Sequence, residues 1–222
     1  MSKRSRILSP ADLPSFLAGA DIIIASDEAG LGAWAGGIVV SVVSAPKDWV
    51  PTVPILTDSK KMTPEERKLA RDALWADGRI RWATLYADSK EVDAGNVYKV
   101  NVRLHTELIA IHLRHAPIIW PGKKAVAIVD GIMDIPGAHS LPKADLRVMA
   151  CSAASVLSKV ARDTMMVSEA REYPGYSFDK AMGYGTPAHR DGIKRQGLCP
   201  IHRRSFAPIA AFARKERGED IS

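Results

Sequence analysis

The chain has 222 residues, 46% of them hydrophobic and 25% charged, with 31 Lys and Arg against 25 Asp and Glu for a formal charge of +6. That length and apolar share can bury one sizeable core, which excludes a mainly disordered chain and points to one domain with at most a small appendage. Cys151 and Cys199 are too few and too far apart for a disulfide framework or a paired-cysteine knuckle, and no apolar run approaches the roughly 18 residues of a membrane span, so a cytoplasmic protein is expected.

Pro10, Asp12 and Pro14 interrupt whatever follows the basic start, so no secretory signal is read there. Ser9-Pro10 reads as a cap followed by proline at the first helical position and predicts a short helix over 10–18. Ile22-Ile23-Ile24-Ala25 predicts a buried strand that ends at Ser26-Asp27-Glu28. Gly30 and Gly32 break it. The stretch GIVVSVVS (37–44) predicts a second strand, which pairs most simply with the first as an antiparallel hairpin. Thr63-Pro64-Glu65-Glu66 forms a capping box whose helix runs to Asp77-Gly78. Residues 81–88 alternate as a third strand. Val97, Leu104, Leu108, Ile111 and Leu113 suit a helix over 97–115, and 125–129 is a short strand stopping at Asp130-Gly131. A helix over 148–169 is rich in Ala and Ser, so its backbone can lie close against a sheet. Thr186-Pro187 opens a further helix that stops at Gln196-Gly197, and 213–222 reads as a charged helix end. The order implies an α/β fold: a mixed central sheet opened by an antiparallel hairpin, flanked by helices, with a helical C-terminal portion.

Two predicted strands end in acids, Asp27-Glu28 on one and Asp130 on the other. Side chains alternate across a strand, so adjacent Asp27 and Glu28 reach one site only where the strand ends or bulges, and the nearby glycines permit that. Hard oxygen ligands at strand ends suit Mg²⁺ or Mn²⁺. Zinc is disfavoured: His105, His112, His115, His139, His189 and His202 show no ligand spacing and read as exposed helix and loop residues. Gly30-Leu31-Gly32-Ala33-Trp34-Ala35 satisfies the dinucleotide fingerprint, yet a Val/Ile strand follows where that motif needs a helix N-terminus. Gly183-Tyr184-Gly185 precedes a capped helix and could offer N–H groups to a phosphate and a ring to a sugar or base; the alternative is an ordinary Gly-rich turn with a packed Tyr. Lys60-Lys61 and His202-Arg203-Arg204 either touch phosphates or are solvated. No convincing Ser/His/Asp or Cys/His nucleophile set is legible.

Taken together, the motifs resemble the ribonuclease HII family of the RNase H-like nuclease superfamily, over about 22–206. DEAG (27–30), DSKKM (58–62), VDG (129–131), KAD (143–145) and SAASVLSKVARD (152–163) fall in the family's order, followed by YPGYSF, GYGT and IHRRSF. The resemblance implies that Asp27, Glu28, Asp130 and Asp145 are four active-site carboxylates holding two divalent ions, Mg²⁺ or Mn²⁺. It implies substrate contacts at Gly30, Leu31, Gly32, Ser59, Lys60 and Tyr184, with the glycine turn sensing a 2′-hydroxyl and the tyrosine stacking on the next deoxyribose. The implied partners are RNA/DNA hybrids and duplex DNA with embedded ribonucleotides, cut to 5′-phosphate and 3′-hydroxyl by a monomer that needs no membrane. The implied organisation is one catalytic domain over 1–222, its helical extension over about 171–222 binding substrate.

Two residues depart from the family pattern. Leu31 stands where the turn usually carries Arg, and Met182 where a lysine is expected before GYGT. Together they imply the loss of up to two phosphate contacts, with cleavage retained while duplex affinity, or preference for a single embedded ribonucleotide, is weakened. A binding module without catalysis and a superfamily nuclease of different substrate geometry are the competing readings. Setting the four carboxylates apart leaves the rest of the chain more basic than +6, so an acidic pocket in a basic surface is expected.

Overall fold

The computed structural model describes residues 7–52 and 61–216. In chain order the elements are α1 (Leu13–Ala18), β1 (Ile22–Ala29), β2 (Ile38–Pro46), α2 (Pro64–Ala76), β3 (Arg81–Ala87), α3 (Ser89–Gly95), α4 (Val97–Ile119), β4 (Ala125–Asp130) and β5 (Ala138–Leu141). A 3₁₀ turn (Ala144–Leu146) then leads to α5 (Met149–Glu172), α6 (Phe178–Ala181), α7 (Pro187–Gln196) and α8 (Ala207–Glu216). The strands form one five-stranded mixed sheet in the order β3-β2-β1-β4-β5, so β1 and β2 are neighbours as the hairpin reading requires.

Local chemistry explains most boundaries. Thr63 caps α2 as half of a complete capping box, and Thr186 caps α7 by accepting from the His189 N–H. Helix α1 begins at Leu13, three residues later than the sequence suggests. Pro14 has no N–H to give the carbonyl of Pro10, so 10–12 close as a turn, with Ser9 accepting from the Asp12 N–H. Helix α4 runs past the expected end to Ile119 despite Pro117. Strand β5 and helix α3 carry too little apolar periodicity to be read from sequence.

The described residues divide into two compact units, one drawn from 7–29, 40–52, 61–85 and 102–160, the other from 30–39, 86–101 and 161–216. In the first, Ile23, Ala25, Val43 and Ile128 of the sheet pack in one core with Leu74 of α2 and with Cys151, Ala154 and Leu157 of α5. The Ala- and Ser-rich face of α5 is buried, as its small side chains allow. In the second, Met166, Tyr176, Phe178, Ile193, Cys199 and Ile209 form a separate cluster.

Register decides where the chemistry lies. β1 and β4 run parallel with Ser26 opposite Val129, so the next residues, Asp27 and Asp130, lie toward the same carboxyl end of the sheet. β5 is parallel to β4 with Leu141 opposite Asp130, which brings the following 3₁₀ turn back to that end.

Candidate active site

Asp27 and Glu28 are both within β1, Asp130 is the last residue of β4, and Asp145 is central in the 3₁₀ turn. Asp27 is 6% exposed, and its Oδ1 accepts from the Glu28 N–H at 2.8 Å. Burial first, then the charges of Glu28 and Asp130, push its carboxyl well above the usual carboxylate range, while a hydrogen bond from Ser155 opposes them. Burial likewise raises Asp130, helped by Asp145 and Glu28 and opposed by the Ala144 N–H, which donates to Asp130 Oδ1 at 2.6 Å. That bond ties the Asp145 turn to the end of β4. Lys143, in the left-handed region at φ 58°, turns the chain into it.

The fully buried Cys151 thiol is raised by burial and by all four carboxylates, so one point in the core senses the whole set. The four acids therefore form one electrostatic cluster. Among the described residues no three His, Cys, Asp or Glu side chains enclose an ion by themselves. Mg²⁺ is commonly held by one or two carboxylates with waters and substrate phosphate completing its shell, so an open cluster of hard oxygens suits it.

The histidines differ from expectation. His105, His112, His189 and His202 are buried, because each finds a polar partner inside the fold. His105 meets Ser26, His112 meets Ser44 at 2.6 Å, and His189 meets His202 at 3.0 Å. A Ser26–His105–Glu28 constellation thus exists that the sequence did not reveal. Its serine is fully buried, which rules out a nucleophilic role. The serines interrupting apolar strands, at Ser26 and Ser44, were the available signal.

The second unit holds Gly30, Leu31, Gly32 and Tyr184. Gly30 sits at φ +94°, and a Cβ there would collide with the Arg162 side chain at Nε. No helix follows the Gly30–Leu31–Gly32 turn, in keeping with rejection of the dinucleotide motif. Arg203, read from sequence as a phosphate contact or a solvated residue, is neither. It is 0% exposed and donates to the carbonyls of Gly30, Leu31, Gly36 and Gly37 at 2.8–2.9 Å. A planar guanidinium with five donors is the side chain that can satisfy four converging carbonyls. Arg162 donates to Gly37, Ala35 and Met182 carbonyls, and its guanidinium lies 5.5 Å from the Tyr184 ring. The two arginines thereby join the glycine turn to the segment before Tyr184.

Tyr184 is 41% exposed, so its ring is available for contact. Its carbonyl accepts from His189 Nδ1–H at 2.9 Å. His189 Nε2 must then accept from His202 Nε2–H, and His202 Nδ1 accepts from the Cys199 N–H at 2.9 Å. Ser59 and Lys60 lie outside the described residues.

Residues 24–209 match the family model for ribonuclease HII. The chain belongs to the ribonuclease HII family. It is similar to a ribonuclease HII of Halorhodospira halophila, at 37% identity over 193 residues covering 84% of this chain and 92% of that one. A ribonuclease HII of Thermus thermophilus is 36% identical over 192 residues, 85% and 88% of the two chains. Among solved structures, the ribonuclease H2 of Pyrococcus horikoshii OT3 shares the fold at a TM-score of 0.66 and 20% identity, over 88% of this chain and 99% of that one. Bst-RNase HIII, solved with Mn²⁺, shares it at 0.68 and 19% identity, over 94% and 74%. As a ribonuclease HII the chain is a metal-dependent endoribonuclease that cleaves RNA in RNA/DNA hybrids. No helix among the described residues is long and apolar enough to cross a membrane.

Proposed function

We propose that Asp27, Glu28, Asp130 and Asp145 hold two divalent ions, Mg²⁺ or Mn²⁺, and that the enzyme cuts both RNA/DNA hybrids and duplex DNA containing single ribonucleotides. The observation that carries this reading is geometric: parallel pairing of β1 and β4 brings Asp27 and Asp130 to one end of the sheet, and the Ala144 N–H ties the Asp145 turn to Asp130. Clustered carboxylates repel and cost stability unless cations neutralise them, and such clusters mark functional sites. Bound there, the ions would activate a water for in-line attack at phosphorus and stabilise the departing 3′ oxygen, leaving 5′-phosphate and 3′-hydroxyl.

The protein's own groups do the positioning. Ala144 N–H fixes one oxygen of Asp130, and the Glu28 N–H fixes one oxygen of Asp27. The turn at Gly30, Leu31 and Gly32 has its Gly30 and Leu31 carbonyls held by Arg203, and its backbone groups sense a 2′-hydroxyl, the group that separates RNA from DNA. Tyr184 stacks on the adjoining deoxyribose. Ser59, Lys60 and the helical portion over about 171–222 contact the duplex, and the enzyme acts as a cytoplasmic monomer. Leu31 and Met182 support a second reading, a nuclease of the same superfamily with altered preference.

The test is incubation with Mg²⁺ or Mn²⁺ and end-labelled duplexes that are all DNA, RNA/DNA hybrid, or DNA with one ribonucleotide. Cutting only of ribonucleotide-containing strands, abolished by Asp130→Asn, is the expected outcome. Cutting of all-DNA duplexes would favour the second reading, and binding without cutting would refute both.

A further inference from the structure

We infer that Ser26 and His105 are positioning residues that hold the Glu28 carboxylate for a divalent ion. The inference rests on Glu28 being a metal ligand. Ser26 Oγ and His105 Nδ1 are 2.8 Å apart, and His105 Nε2 and Glu28 Oε2 are 3.3 Å apart. A carboxylate oxygen only accepts, so Nε2 carries the imidazole hydrogen, Nδ1 is the acceptor, and the Ser26 hydroxyl donates to it. The hydrogen bonds then run in one direction, from serine through histidine to glutamate.

The pleat explains why Glu28 has such a device. Ser26 and Glu28 are two apart on β1 and share a face, while Asp27 between them points to the other. Asp27 is held on its own side by Ser155 of α5 and by the Glu28 N–H. Glu28 is longer, its side chain is 20% exposed, and it has to reach the cluster from the opposite face. His105 of α4, fully buried beside Ser26, supplies the anchor. One carboxylate oxygen is committed to the imidazole, and the other is left for a cation. Partners of this kind around ligating carboxylates typically change metal affinity about 10–100-fold when removed.

The experiment is a Mn²⁺ titration of the metal-free full chain without nucleic acid, followed by electron paramagnetic resonance of free Mn²⁺. His105→Leu, which keeps bulk and removes the donor, is expected to bind Mn²⁺ about tenfold more weakly. His105→Gln, whose amide nitrogen reaches the position of Nε2, is expected to recover most of that loss. A His105→Gln no tighter than His105→Leu overturns the donor role. Wild-type affinity in His105→Leu, with weakened binding in Asp130→Asn, overturns the positioning role alone. Unchanged binding in Asp130→Asn instead overturns the carboxylate site. A second measurement does not depend on a variant folding: in ¹H–¹⁵N spectra of the wild-type imidazoles, His105 should carry its hydrogen on Nε2 and that resonance should shift on adding Mg²⁺. A hydrogen on Nδ1, or no shift at saturation, overturns the inference.

Discussion

Arg203→Met removes the guanidinium and keeps an apolar chain in the same buried channel. Four hydrogen bonds are lost, to the carbonyls of Gly30, Leu31, Gly36 and Gly37. At about 1.5 kcal/mol each, the lower end for a charged donor, the gross loss is about 6 kcal/mol. Burial, and after it the like charge of Arg162, push the guanidinium down to about 10, and relief of both returns about 3 kcal/mol at ~1.4 kcal/mol per pH unit. The net destabilisation is about 3 kcal/mol. For a chain of this size that corresponds to a fall in Tm of about 6–12 °C. Arg203→Lys, which keeps the charge without the fork, should fall between the two. Differential scanning calorimetry of the full chain measures both. A Tm of Arg203→Met within about 2 °C of wild type would refute the clamp, since the four carbonyls would then not depend on Arg203.

Restoring the family's arginine by Leu31→Arg should tighten duplex binding at moderate salt and steepen the dependence of log K on log salt by about 1, one phosphate contact's worth; unchanged affinity sinks the account of the Gly-Leu-Gly turn. His112 and His202 are pushed down to about 4 by burial, so both stay neutral in the folded state while the unfolded chain takes up protons below about pH 6.5. Stability present above that pH should be lost as pH falls toward 4, by up to about 3 kcal/mol for each histidine. Urea midpoints read this, and an equally steep loss in His112→Gln would contradict it. In Gly183→Ala, at φ +75°, the new Cβ would collide with the Ala35 carbonyl oxygen, whose backbone cannot yield cheaply, so the variant should melt lower; a melting temperature equal to wild type would count against the close approach of these two segments.

Asp130 was legible as a strand-end acid and Asp27 and Glu28 as acids near a strand end, although β1 runs one residue past them to Ala29, and the motif order identified the family. The helix caps at Thr63 and Thr186 were equally plain, because their hydrogen bonds close over three residues of chain. His105, His112, His189, His202 and Arg203 were misread for the opposite reason. A buried polar side chain is stable only with its partner, and the partners lie far away in sequence: His105 with Ser26, His112 with Ser44, Arg203 with the carbonyls of Gly30 and Leu31. Nothing in the composition around His105 says that a serine waits for it on β1.

The sequence by itself determined the main strands and long helices, the capped starts of α2 and α7, the acids near the strand ends and the family to which the chain belongs. Tertiary structure alone decided that those acids are brought to one end of the sheet. Asp27 and Asp130 share one sheet end because β1 and β4 pair in parallel with Ser26 opposite Val129, and Asp145 joins them because the Ala144 N–H binds Asp130. Strand register is set by packing across the whole sheet, where a shift of one residue would turn each side chain to the other face, and no local run of residues carries that information.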